Sequence, residues 1–267
     1  MESEALLEAA AANLAAWHDS SVRALGFASM SGSWWWSAPT PGPWIYFTAI
    51  ALRHPRSGWE RRAARSELAR HLDDPAGSFE AVCDSFGDLD LEQAGLARRA
   101  NGLWYARQPD DYRPEDDRPD ARSDDDRPDG QRRPDWLVVT EVDDPADLAA
   151  FERTMCAAFL APPPIAPFDI HAPAILADPA MHVLIARTDE SDEVVAGAMA
   201  YVAAGVVGMY GVGTVPGHRR AGYATALTRA GLAIAPDLPA ILQPSTEAAA
   251  LYRRIGFVEV GRFSHWG

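Results

Sequence analysis

From Val212 to Thr225 the chain reads Val-Gly-Thr-Val-Pro-Gly-His-Arg-Arg-Ala-Gly-Tyr-Ala-Thr, an apolar run that turns into a helix-forming stretch. The small residues Gly222 and Ala224 let the backbone approach a ligand with no bulky side chain in the way. Free N–H groups at the start of the following helix, together with its dipole, form a site for an anion such as a diphosphate. Arg219 or Arg220 can add a charge-assisted contact. The spacing Arg-x-x-Gly-x-Ala is neither the dinucleotide fingerprint nor the P-loop. The competing reading is that Gly222 caps a turn and both arginines face solvent.

These residues resemble the signature of the GNAT acetyltransferase superfamily. Thr214-Val215-Pro216 ends a strand and Arg219-x-x-Gly222-x-Ala224 opens a helix, with the family's spacing. A second matching pattern follows, in which Ile241-Leu242-Gln243-Pro244-Ser245 leads to Leu251-Tyr252-Arg253-Arg254-Ile255-Gly256-Phe257. The resemblance covers roughly residues 136–267, and residues 1–106 look like the degenerate amino-terminal lobe of some two-lobed bacterial members.

The resemblance implies acetyl-CoA as co-substrate, an amine as acceptor and no metal. By position, Val212, Gly213 and Thr214 would contact pantetheine and the thioester, with a backbone N–H there as oxyanion donor. Arg219, Arg220, Ala221, Gly222, Tyr223, Ala224 and Thr225 would wrap the pyrophosphate, and Ser245 would lie near the pantetheine. Tyr252 aligns with the tyrosine that protonates the departing thiolate. Its other reading is a core tyrosine on an amphipathic helix.

Asp169, His171, His182 and Glu247 are candidates for a general base, yet each reads equally well as a cap, loop or surface residue. Cys156 reads as core. Pro244 removes a backbone donor where the second strand should diverge. The chain stops ten residues after Phe257, where the family continues into a further strand. Either the end is a stub or the amino-terminal lobe completes the sheet.

Around this site the expected elements are strands at 136–142, 182–187, 194–202, 206–215, 240–243 and 257–263. Helices are expected to follow Asp144-Pro145 and to span 222–235 and 246–255, with a turn at Ala203-Ala204-Gly205. That order predicts an α/β (α+β) fold with a mixed, mostly antiparallel central sheet flanked by helices and a smaller amino-terminal α/β lobe. In residues 1–106 the pattern predicts helices at 4–16 and 59–72, a strand at Trp44–Leu52 and a hairpin turning at Asn101-Gly102. The run Trp34-Trp35-Trp36 reads as core filling rather than a ligand wall. Residues 107–135, rich in Asp, Arg and Pro, read as a disordered linker before the acetyltransferase domain at 136–267.

Composition narrows the function. All 24 basic residues are Arg, and 38 acids leave a net charge of −14, which disfavours nucleic acid and suits a cationic acceptor. Two cysteines, far apart, form no disulfide framework or metal-ligand cluster. The acidic start resembles no secretory signal, so a cytoplasmic protein is expected. Val194–Val215 lacks charge, but its five glycines argue for two buried strands rather than a membrane span. The expected partner is a small-molecule amine, with no nucleic acid and no membrane, and a homodimer is admitted. The alternative function is a non-catalytic acyl-CoA-binding or protein-interaction module on the same fold.

Overall fold

The computed structural model describes residues 3–38, 42–72, 81–109, 137–188 and 191–267. The amino-terminal half runs α1 (Ser3–Ala24), β1 (Met30–Ser31), β2 (Trp35–Ser37), β3 (Ala49–Ala51), α2 (Gly58–Leu72), β4 (Val82–Asp84) and β5 (Arg98–Arg107). The carboxy-terminal half runs β6 (Val139–Glu141), α3 (Pro145–Ala158), β7 (Met181–Arg187), β8 (Val194–Ala203), β9 (Val206–Thr214), α4 (Tyr223–Ile234), β10 (Ala240–Leu242), α5 (Ala249–Arg254) and β11 (Val258–Trp266).

Both halves share one sheet, ordered β1-β2-β3-β4-β11-β5-β10-β9-β8-β7-β6. Two pairs are parallel, β3 with β4 and β9 with β10, and the rest are antiparallel. The expected mixed α/β fold is present. At its centre the two halves exchange strands. β5, from the first half, lies between β10 and β11, while β11, from the second half, reaches back to β4. Outward from the β5–β11 pair, each wing then repeats one pattern: an antiparallel strand, a parallel neighbour reached through a helix, and an antiparallel strand. The amino-terminal half therefore completes the sheet, and β11 is no stub.

Local signals account for much of the second half. Asp144 accepts N–H bonds from Ala146 and Asp147 at 2.7 and 3.0 Å, capping α3 with Pro145 at its first turn. Leu148, Phe151 and Met155 then face the core. Ala204 and Gly205, both at positive φ, close the β8–β9 hairpin. Trp35 and Trp36 are core, as expected; their indoles donate to Ala64 O and to Asp19.

Four expectations fail. Asn101-Gly102 makes no turn, because β5 runs unbroken through it, paired to β11 from Val258↔Ala106 to Trp266↔Arg98. Gly102 serves close approach instead: a Cβ there would sit 2.1 Å from Phe263 Cζ. Only Ala49–Ala51 of Trp44–Leu52 is a strand, the earlier residues turning so that Tyr46 N–H reaches Pro43 O. The helix expected at 246–255 is only Ala249–Arg254, its preceding turn closed by Ser245. Arg107 ends β5 rather than starting a linker, and 110–135 of that segment lies outside the described residues.

Phe263 is buried between His265, stacked at 4.7 Å, and Trp104 at 5.9 Å, so its ring has little room to yield. Gly102→Ala is expected to cost about 1–3 kcal/mol of stability, read as a lower denaturant midpoint. Adding Phe263→Leu should recover part of that loss, and simple additivity would refute the clash.

Candidate active site

β9 is the strand that positions the site. Its pairing with β8 slips between Gly197↔Gly213 and Met199↔Tyr210, a bulge centred on Gly211 at φ 57°. On its other side, β9 pairs with β10 only as far as Gly208↔Ile241. β10 ends at Leu242, so Val212, Gly213 and Thr214 continue past it with one backbone edge unpaired by strand. Pro244 then blocks a further ladder bond from the β10 side. A gap between two parallel strands results.

At the mouth of this gap the chain passes from Val215 to Thr225. His218 and Arg219 N–H groups are used locally by Val215 and Pro216 carbonyls, and the first helical bond runs from Ala226 to Gly222 O. Between them, the amides of Arg220, Ala221, Gly222, Ala224 and Thr225 have no partner among the described residues. Gly222, the N-cap residue at φ 94°, provides no side-chain cap, and a Cβ there would meet nothing within 4 Å. The turn is open, with a helix N-terminus behind it. Arg219 secures the loop: its Nε donates to Thr214 O at 3.2 Å and its Nη2 to Ala158 O at 2.8 Å, at the end of α3. Arg220 is exposed at φ 67°. Tyr223 is buried beneath the turn.

The matching turn of the amino-terminal wing, between β3 and α2, is closed. Ser57 Oγ accepts Glu60 N–H at 3.2 Å and Glu60 accepts Ser57 N–H at 2.7 Å, a reciprocal cap that places a carboxylate on the helix start. The carboxy-terminal turn has no such carboxylate cap on its helix start.

Tyr252 is buried on α5, edge-on to Phe257 at 5.8 Å and in the cluster that also holds Tyr223 and Leu227. Val212 packs against that cluster. Burial pushes its phenol up to about 12, and a hydrogen bond with Thr228 offsets part of this. The group thus stays protonated at neutral pH. Ser245 is exposed, and its Oγ accepts Ala248 N–H at 3.2 Å.

On the opposite sheet face, Gly211 borders a cavity of about 380 Å³ between α1, α3, β9 and β11. Of the base candidates only His171 lines it; its Nδ1 lies 2.7 Å from Tyr46 OH, and burial lowers its pKa to about 3. Asp169 accepts Ala166 N–H, His182 pairs with Glu141, and Glu247 is exposed. Cys156 also lines the cavity, and burial raises its thiol pKa. Trp17, His18 and Trp44, which line the cavity from the first half, carried no sequence signal of their own. Among the described residues no His/Cys/Asp/Glu cluster could hold a metal, and no helix is long and apolar enough to cross a membrane.

Residues 148–257 match the family model of the acetyltransferase (GNAT) family. Among solved structures, a GCN5-related N-acetyltransferase from Kribbella flavida aligns at TM-score 0.54 and 18% identity, over 95% of this chain and 94% of its own. A conserved protein of unknown function from Staphylococcus epidermidis aligns at TM-score 0.53 and 12% identity, over 90% and 93% of the two chains. At such identities the likeness is one of fold. No curated protein matches the chain.

Proposed function

Because residues 148–257 match the acetyltransferase (GNAT) family model, we propose that this chain belongs to that family and is a cytoplasmic N-acetyltransferase that moves an acetyl group from acetyl-CoA to a primary amine by direct attack. The observation that carries this reading is the open turn at 215–225, whose unpartnered amides stand where β9 outruns β10. It also explains how a chain of net charge −14 could hold a polyanion, since the positive field is local.

In this reading, the amides of Arg220, Ala221, Gly222, Ala224 and Thr225 hold the diphosphate, with Arg219 keeping the loop in place. Val212, Gly213 and Thr214 offer their free strand edge to pantetheine, with Ser245 alongside. A bulge amide near Gly211 polarises the thioester oxygen. Acetyl-CoA supplies a thioester whose C–S bond breaks as the amine nitrogen bonds the carbonyl carbon. Tyr252 gives a proton to the leaving sulfur, and the proton that the nitrogen sheds in becoming an amide restores the phenol. Residues 1–106 form a degenerate lobe of the same kind, as the repeated wing pattern and the Glu60-closed turn suggest.

Calorimetry with acetyl-CoA, followed by thiol release with a panel of amines, tests the proposal. Gly222→Glu, which puts a carboxylate on the amides, is expected to weaken CoA binding about a hundredfold. Tyr252→Phe should lower kcat about a hundredfold while CoA affinity holds. Unchanged affinity in Gly222→Glu would move the cradle elsewhere. Tight binding without turnover on any amine would favour the non-catalytic module.

A further inference from the structure

We propose that the cavity beside Gly211 binds the acceptor as an uncharged amine on a flat aromatic ring, with its N–H donated to Nε2 of His18. The inference rests on the acyl-transfer reading, since Gly211 joins this cavity to the strand gap. Both halves of the chain build it: Trp17, His18 and Phe47 from the first, Phe151, Phe159 and Tyr210 from the second. Half-exposed Trp44 (54%) and Phe159 (49%) flank the opening. A volume of about 380 Å³ suits a one- or two-ring molecule.

His18 carries the argument. Its Nδ1 lies 2.8 Å from Leu14 O, which can only accept, so the ring proton sits there and Nε2 presents a lone pair. That Nε2 is buried and has no partner among the described residues. A buried acceptor without a donor is costly, and His18 lines the cavity, so a ligand N–H that reaches this atom would relieve the cost. The Nε1–H of adjacent Trp17 is buried and unpartnered in the same way. Phe47 stacks on His18 at 5.3 Å and contacts His265 edge-on at 4.6 Å, which makes an aromatic wall.

Charge complementarity argues against an ammonium. Glu152 is the only acid lining the cavity among the described residues. Its oxygens accept amides of Phe168, Ile170 and His171 at 2.7–2.8 Å. Three N–H dipoles thus already stabilise that carboxylate without a cation. Burial also keeps the cavity's imidazoles neutral, His18 at about 3 and His265 at about 4. An ammonium would enter without a free counter-ion. The cationic acceptor suggested by net charge reflects the outer surface, not this lining. A weakly basic arylamine is already neutral at physiological pH, so no base is needed before attack, and the proton its nitrogen sheds afterwards replaces the one that Tyr252 gives to sulfur.

Calorimetry on the full-length chain at neutral pH, without acetyl-CoA, compares aniline, cyclohexylamine and N,N-dimethylaniline. Aniline is expected to bind about tenfold more tightly than cyclohexylamine, its charged near-isostere. It should also bind about fivefold more tightly than N,N-dimethylaniline, which lacks N–H donors. His18→Phe should erase the second difference. The wild-type ligand series decides the matter even if that variant fails to fold. Cyclohexylamine binding as tightly as aniline, or N,N-dimethylaniline matching it, overturns the proposal. Acetyl-CoA is titrated separately, so a failed cradle leaves normal arylamine binding, and a failed acceptor assignment leaves normal CoA binding.

Discussion

Residues 137–267 expressed alone are expected to show no cooperative unfolding transition, although they contain the whole matched domain. The reason lies in the strand exchange. β10 pairs with β5 through Ala240↔Arg107 to Leu242↔Tyr105, and β11 pairs with β5 along nearly its whole length. Without β5, two strands that belong to one sheet stand about 10 Å apart with unpaired inner edges. The fragment also loses Trp104 and Tyr105, both fully buried at the sheet centre. A second attachment goes with them: Asn13 of α1 donates to Tyr201 O and Val206 O and accepts from Tyr210 OH at 2.6 Å. The lost burial and pairing exceed the few kcal/mol by which a domain of this size is stable. Co-expression with residues 1–109 should restore a single transition, monitored by circular dichroism. A sharp thermal transition from 137–267 alone would show that the exchange is dispensable.

That exchange also marks where sequence reading stops. The features legible in advance were those whose cause lies within a few residues. Asp144-Pro145 caps α3, Ala203-Ala204-Gly205 turns a hairpin, and the Arg-x-x-Gly-x-Ala run opens α4. Asn101-Gly102 is the instructive failure. Its local preference for a turn is real, but pairing with β11 over the length of β5 outweighs it. The glycine is needed because Phe263 crosses above it, a contact 161 residues away in sequence. The cavity was illegible for the same reason: Asn13 and Tyr210, which lock α1 beside it, are 197 residues apart. His18 lies beyond the helix expected at 4–16, and only the folded arrangement, with α1 running to Ala24, leaves its Nε2 buried without a donor. The open turn before α4 was visible because it needs only a strand end, a turn and a helix start.

Acidification should unfold the protein steeply, and through that same cavity. Burial holds His18 and His171 near 3 and His265 near 4, against 6.5 when unfolded. A depressed folded pKa means stability that is complete above 6.5 and is lost as the pH falls toward the folded value. Between about pH 6 and 4.5, unfolding takes up to three protons for these rings, each worth about 1.4 kcal/mol per pH unit. Asp84 works the other way. Burial raises it from 3.8 to about 6, so its contribution is complete below 3.8 and is lost as the pH rises through 6. Acidification therefore returns one proton's worth of stability, leaving a net loss of about 3 kcal/mol per pH unit. Urea midpoints measured across this range give the slope directly. His265→Phe, which keeps an aromatic ring between Phe47 and Phe263, should roughly halve it by removing one of two net protons. A flat profile, or a slope that ignores this substitution, would mean that the imidazoles are hydrated or charged in the folded protein. His18 Nε2 would then have water for a donor and no need of a ligand N–H.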